Sequence, residues 1–210
     1  MRESGGAAVS NQRLTKVRQP ASFRLPLVCL ALCAALIGAG ALADEAPADS
    51  GARAPLQPIA ALDVPRYMGT WYEIAKYPNW FQRKCVADTR ADYRLMPDGS
   101  VQVTNRCKTA SGELIDAVGQ ARQLGPANSP KLEVRFAPAW LAFLPFVWGD
   151  YWVIDLDEAY QLVAVSEPKR DYLWILARTP QVDPQKYQNL LARLAKKGFD
   201  LSKLEVSKQD

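Results

Sequence analysis

The chain has 210 residues, 49% of them hydrophobic and 23% charged, with a formal net charge of +4. That composition excludes a collagen, a coiled coil or a mostly disordered chain. There is no histidine, which removes Ser-His-Asp and Cys-His nucleophile sites, histidine general bases and every His-ligated zinc or iron site. Six Trp, eight Tyr and six Phe point instead to apolar binding, because aromatic side chains dominate small-ligand pockets.

The first element is a targeting segment. Residues 1–24 are polar and carry Arg2, Arg13, Lys16, Arg18 and Arg24; Leu25 to Ala43 runs without a charge and ends Ala41-Leu42-Ala43. A basic start, an apolar stretch and an A-x-A site predict a signal peptide over 1–43. An uncleaved membrane anchor is the alternative, weakened by Pro26, Gly38 and Gly40. Cys29 and Cys33 follow Val28 and Leu32 rather than a small residue, so a soluble exported product is favoured over a lipid-anchored one. The leader holds five of the 26 basic and one of the 22 acidic residues, leaving 21 of each. The remainder is neutral and lacks the basic footprint of a nucleic-acid-binding protein. It is the size of one domain.

Asp44 to Ala61 is rich in Ala, Pro, Asp and Gly and reads as a flexible linker. From residue 62 onward, strand-like runs follow one another: Thr70–Tyr77, Val86–Leu95, Ser100–Lys108, Glu113–Arg122, Lys131–Phe136, Asp150–Leu156, Tyr160–Glu167 and Asp171–Arg178, separated by turn signals such as Pro97-Asp98-Gly99. The short connections predict antiparallel neighbours. Eight up-and-down strands close into a barrel just wide enough for side chains or one small ligand; a sandwich is the alternative that local pattern leaves open. One helix follows, with Asp183 as N-cap, Pro184 in the first turn, a stripe of Tyr187, Leu190, Leu191, Leu194 and Ala195, and Gly198 as the stop. A single stripe predicts packing against the outside of the sheet. Phe199–Val206 is a candidate short last strand.

Cys85 and Cys107 are the cysteines left after the leader, and in an exported chain they are expected to pair. A three-residue turn at Pro97-Asp98-Gly99 sets Cys107 opposite Thr89, four residues from Cys85. The separation, about 13 Å, exceeds the reach of a disulfide. Pairing therefore requires a bulge or backward fold at Val86–Asp88.

Met68-Gly69-Thr70-Trp71-Tyr72-Glu73-Ile74-Ala75 resembles the Gly-x-Trp block of the lipocalins. Gly149-Asp150-Tyr151-Trp152 resembles their second block, with Gly149 where the family carries Thr, and Tyr172 to Pro180 resembles the third, whose arginine is Arg178. With the strand count and the late helix, the chain over 62–210 is similar to bacterial outer-membrane lipocalins and the apolipoprotein D-like branch. The resemblance implies an all-β, eight-stranded antiparallel barrel with one C-terminal helix outside. It also implies structural roles for Gly69, Trp71, Asp150, Tyr151 and Arg178, Arg178 lying across the Trp71 ring at the closed end.

Side-chain alternation sets Trp71, Glu73, Ala75 and Tyr77 on one face, with Tyr93, Asn105, and the row Tyr172, Trp174, Leu176 and Arg178 on the matching faces of their strands. In the family these faces look inward. Tyr77, Tyr93, Asn105, Tyr172 and Trp174 are therefore candidate ligand contacts, together with Trp80, Phe81 and Trp140 from two greasy loops, Pro78–Phe81 and Pro138–Trp148. Those loops would lie at the open mouth. Four readings stand for them: an entrance lining, a contact with an outer-membrane surface, a homodimer contact, or a lid packed into the barrel.

The resulting expectation is a non-enzymatic carrier without cofactor or metal. It would hold a fatty acid or lysophospholipid in the barrel, in the periplasm or at the periplasmic face of the outer membrane. The competing readings are an interaction protein using the aromatic loops and a lipocalin-fold isomerase with Glu73 or Asp155 as an acid–base group.

Overall fold

The computed structural model describes residues 53–210, so the expected signal peptide and residues 44–52 lie outside the described residues. Nine strands form one sheet: β1 (Gly69–Lys76), β2 (Ala87–Leu95), β3 (Val101–Lys108), β4 (Leu114–Gln123), β5 (Lys131–Arg135), β6 (Gly149–Leu156), β7 (Leu162–Ser166), β8 (Leu173–Ala177) and β9 (Glu205–Val206). β1 to β8 pair in sequence order and β8 returns to β1, which also pairs β2, so the eight strands close. A short helix, α1 (Val64–Tyr67), precedes β1, and α2 (Pro184–Lys196) follows β8. The barrel replaces the sandwich alternative, and α2 has the expected start: the Asp183 side chain accepts the Lys186 N–H at 2.9 Å.

Two apolar clusters divide the molecule. The inner one joins Trp71, Ala91, Tyr93, Val101, Val103, Ala121, Leu132, Val153, Val163, Val165 and Leu176 inside the barrel. The outer one joins Leu190 and Leu194 of α2 to Ala75, Ile154, Ala164, Leu173, Ile175 and Ala177. β7 and β8 are therefore covered on both sides and read as continuous apolar runs, LVAVS and LWILA. Asp155 lies on this outer side, where Arg193 of α2 holds both carboxylate oxygens at 2.7 and 2.8 Å.

The segment expected to be a mobile linker is packed from Arg53 onward. Leu56 is buried in the outer cluster, Ile59 N–H donates to Val153 O at 2.9 Å, and Arg170 holds Ala54 O at 2.8 Å. Its Ala- and Pro-rich composition hid one well-placed leucine and one isoleucine.

A second correction concerns Tyr77. The register of β1 against β8 slips between Glu73 and Ala75. One extra residue reverses the alternation, so Trp71 and Glu73 face inward while Ala75 and Tyr77 turn out toward α2. Tyr77 packs on Phe199 and donates its hydroxyl to Asp200 O at 2.9 Å. It is a strut between β1 and the C-terminal segment, away from the lumen. Lys76 takes the inward parity instead, opposite Trp174.

The disulfide between Cys85 and Cys107 is present, with Cα atoms 5.4 Å apart. Met96 N–H does bond Ser100 O at 2.8 Å, and the β2–β3 register shifts between Ala87 and Arg90. Asp88 has φ 56° there, the left-handed turn of a bulge. The bulge ends regular pairing with β1, and the C-terminal tail fills the gap. Ser207 N–H bonds Ile74 O, and Asp88 N–H bonds Lys208 O, both at 2.9 Å. Gln209 Nε2 donates to both Glu73 O and Thr89 O, clipping the two parting strands together.

Candidate functional site: the barrel lumen and its mouth

The closed end is built by β1, α1 and the residue after β8. Trp71 is fully buried, and its indole N–H donates to Tyr67 O at 2.8 Å. The Arg178 guanidinium carbon lies 4.0 Å from the Trp71 ring centroid, a cation–π contact. The same guanidinium donates to Thr70 O, Arg66 O, Tyr67 O and Tyr160 O at 2.9 to 3.3 Å. Gly69 has φ +97°, and a Cβ there would sit 3.2 Å from Arg178 Nη1. The glycine is thus required twice, for its backbone angle and for the approach of the arginine. Of the second block, Asp150 is exposed while Tyr151 turns inward.

Above this plug lies a buried phenol cluster. Tyr151 Oη is 2.7 Å from Tyr67 Oη and 3.0 Å from Tyr93 Oη. Burial pushes all three phenols up, Tyr93 to about 12 and the other two well above their ordinary value, so all three stay neutral. Tyr93, expected as a ligand contact, has its hydroxyl committed to this cluster and forms the floor of the lumen. Tyr67 was missed from the sequence because no strand pattern covers α1.

Toward the mouth the lining changes. Asn105 and Trp174 stand at inward positions yet are only partly buried, and Ala117, opposite Asn105, is exposed. Inward residues that keep solvent contact mark the solvent-facing end of the barrel. The inward row of β4 is Ala117, Gly119 and Ala121, all of them small. At Gly119 a Cβ would lie 2.7 Å from the Phe136 ring and from Arg135 O, so Phe136 folds over the glycine.

A polar chain links the lumen to the first mouth loop. Trp174 Nε1 donates to Gln82 Oε1 at 2.9 Å. Gln82 Nε2 donates to Glu73 Oε2 at 2.6 Å, and the Ser207 hydroxyl donates to Glu73 Oε1 at 2.6 Å. Burial raises the Glu73 carboxyl above its usual value, opposed in part by these two donors. Lys76 is 3.0 Å from Glu205. Gln82, Ser207 and Gln209 were not singled out from the sequence. A bulge-dependent tail insertion leaves no periodic signal.

The loops themselves are exposed. Phe81 packs on Tyr172 and Trp174, which stack on each other with centroids 5.7 Å apart. Trp80, Trp140, Phe143 and Phe146 are 72 to 79% exposed, which overturns the reading of these loops as a lid packed into the barrel. Among the described residues, no group of three or more Cys, Asp or Glu side chains is arranged to hold a metal ion.

Residues 62–209 match the model of the lipocalin-like domain. This chain belongs to the lipocalin family. The lipocalin is 41% identical over 156 residues to temperature-induced lipocalin-1 of Arabidopsis thaliana, covering 73% of this chain and 83% of that protein. It is 40% identical to the outer membrane lipoprotein Blc of Escherichia coli K12, covering 67% and 76%, and 32% identical to apolipoprotein D of Mus musculus, covering 75% and 82%. Among solved structures, insecticyanin of the tobacco hornworm Manduca sexta superposes with a TM-score of 0.56 at 18% identity, covering 73% of this chain and 84% of that one. That likeness is one of fold.

Proposed function

We propose that the barrel binds and carries a single-chain amphiphile, a fatty acid or a lysophospholipid, in the cell envelope. The observation that supports this reading is the graded interior: a sealed, aromatic closed end and, toward the mouth, the inward residues Asn105, Ala117 and Trp174 that keep solvent contact. An acyl chain held there gains about 0.8 kcal/mol per buried methylene. About a dozen methylenes, less the ordering cost, reach roughly micromolar affinity. The head group stays at the mouth near Trp80, Phe81 and Trp140. Asn105 and Tyr172 supply polar contacts between the two ends. No covalent step is needed, and Glu73 is occupied by Gln82 and Ser207. The relatives named outer membrane lipoprotein and the expected signal peptide support an envelope location.

The test is organic extraction of the purified protein followed by mass spectrometry. An acyl chain recovered at close to one per protein is the expected result. Protein that carries no lipid, and takes none up when it is offered, contradicts the reading.

A further inference from the structure

The aromatic mouth loops are built as surface features. In the β5–β6 connection, two 3₁₀ turns, Ala139–Leu141 and Pro145–Val147, fold the chain back on itself. Trp148 fastens its base: the indole N–H donates to Ala142 O at 2.8 Å, and the ring is flanked by the Arg122 and Arg135 guanidiniums. A fastened loop can hold apolar side chains in water at a fixed position. Trp140, Phe143 and Phe146 are held so, at 73, 78 and 79% exposure. The β1–β2 connection, at the same end of the barrel, holds out Trp80 at 72%. Aromatic clusters exposed to this degree mark a contact surface.

Charge selects the occupant. Neither connection, 77–86 or 136–148, contains an acidic residue, while Arg83 and Lys84 stand exposed one residue beyond Trp80 and Phe81. Acids at this end lie outside the two loops: Glu113, Glu167 and Asp171 in the other two turns, and Asp88, Glu205 and Asp210 where β1, β2 and the C-terminal tail meet, each 2.6 to 3.9 Å from Lys76, Lys108 or Lys208. Aromatic tips flanked by cations that form no ion pair among the described residues suit the interface of an anionic bilayer, where indole rings sit at head-group depth and each Lys or Arg adds attraction. A two-fold contact between copies through the same loops would instead bring like charges together.

We infer that the mouth of this barrel docks on an anionic lipid surface, with Trp80, Trp140, Phe143 and Phe146 inserted at head-group depth and Arg83 and Lys84 on the lipid charges. Phe81 then connects that surface to the lumen, since it touches both Trp80 and Trp174. Cargo would pass between bilayer and barrel without crossing water. The inference goes beyond the carrier reading. Docking is read with vesicles and cargo with extracted lipid, so the two fail separately.

The test is sedimentation of the purified protein with vesicles of phosphatidylcholine alone and of phosphatidylcholine mixed with phosphatidylglycerol. Tighter binding to the anionic vesicles, on the order of tenfold and lost at high salt, is expected. Arg83→Gln with Lys84→Gln should remove that increment alone. Trp140→Ser with Phe143→Ser and Phe146→Ser should weaken binding to both vesicles by roughly tenfold or more. Quenching of wild-type tryptophan fluorescence by brominated lipid checks insertion without any variant. Wild type that stays in solution with both vesicles overturns the inference, as does equal binding by the aromatic variant. Equal binding to the two vesicle types overturns the anionic assignment. A dimer split by the aromatic substitutions, with no vesicle binding, assigns the loops to a second copy instead.

Discussion

Gln82 accepts the Trp174 indole N–H and donates to Glu73, with heavy-atom distances of 2.9 and 2.6 Å. One amide thus fastens the first mouth loop to a lumen wall on β8 and to a buried carboxyl on β1. Asn79 reinforces it, donating its amide to Gln82 Oε1 at 2.6 Å and accepting the Gln82 N–H at 2.9 Å. Gln82→Ala leaves an indole N–H and a carboxyl oxygen without their partner, at a cost of about 1–3 kcal/mol. A lower midpoint in urea at unchanged slope is expected, together with a shift in tryptophan emission.

The Glu73 carboxyl gives a pH dependence. Its folded-state value is raised above 4.5 by burial, so the folded protein holds the proton more tightly than the unfolded chain. The stabilisation is present below the unfolded value and is lost as pH rises through the folded one. Glu73→Gln keeps the shape: its carbonyl accepts from Gln82 and its amide donates to Ser207. The variant should match wild type near pH 4 and exceed it in melting temperature at pH 7. Thermal melts of both proteins across that range check the sign.

Arg178 closes the opposite end. Arg178→Ala removes a ring contact and four donated hydrogen bonds, and stability should fall by about 1–3 kcal/mol. Ligand affinity should be unchanged at temperatures where the variant is folded, because the phenol cluster separates Arg178 from the mouth. Lost affinity at unchanged melting temperature would contradict the assignment.

The disulfide closes a loop with a sequence separation of 22 residues, worth about 3 kcal/mol through the unfolded chain. It ties the mouth loop to β3 beside the Asp88 bulge. Reduction should lower the denaturation midpoint and speed proteolysis between Pro78 and Val86. Cleavage at an equal rate in both redox states would contradict its role in holding the loop.

Much of the barrel was readable in the sequence because period-two alternation and turn residues are local signals. All eight barrel strands and α2 fall where their patterns predict, and the plug of Trp71 and Arg178 follows from motif residues alone. The misreadings share a cause in non-local geometry. Parity carried Tyr77 into the lumen because the slip after Glu73 depends on pairing with β8, and nothing in GTWYEIAK marks it. The bulge at Asp88 was legible because two cysteines demanded it. The tail residues Ser207 and Gln209 were not, since their place in the gap between β1 and β2 exists only once that bulge has opened it. Tyr93 was rightly turned inward, but its hydroxyl partner Tyr151 stands 58 residues away.

The proposed carrier function sets an acyl chain along the Trp174 wall of the barrel. The most direct measurement titrates a saturated fatty-acid series, octanoate to stearate, into wild type and Trp174→Ala while following bound ligand. Affinity should rise with each methylene until the lumen is full and then level off, and the variant should bind more weakly with a displaced plateau. Flat affinity along the series, or the same profile in both proteins, would contradict a chain held in the barrel.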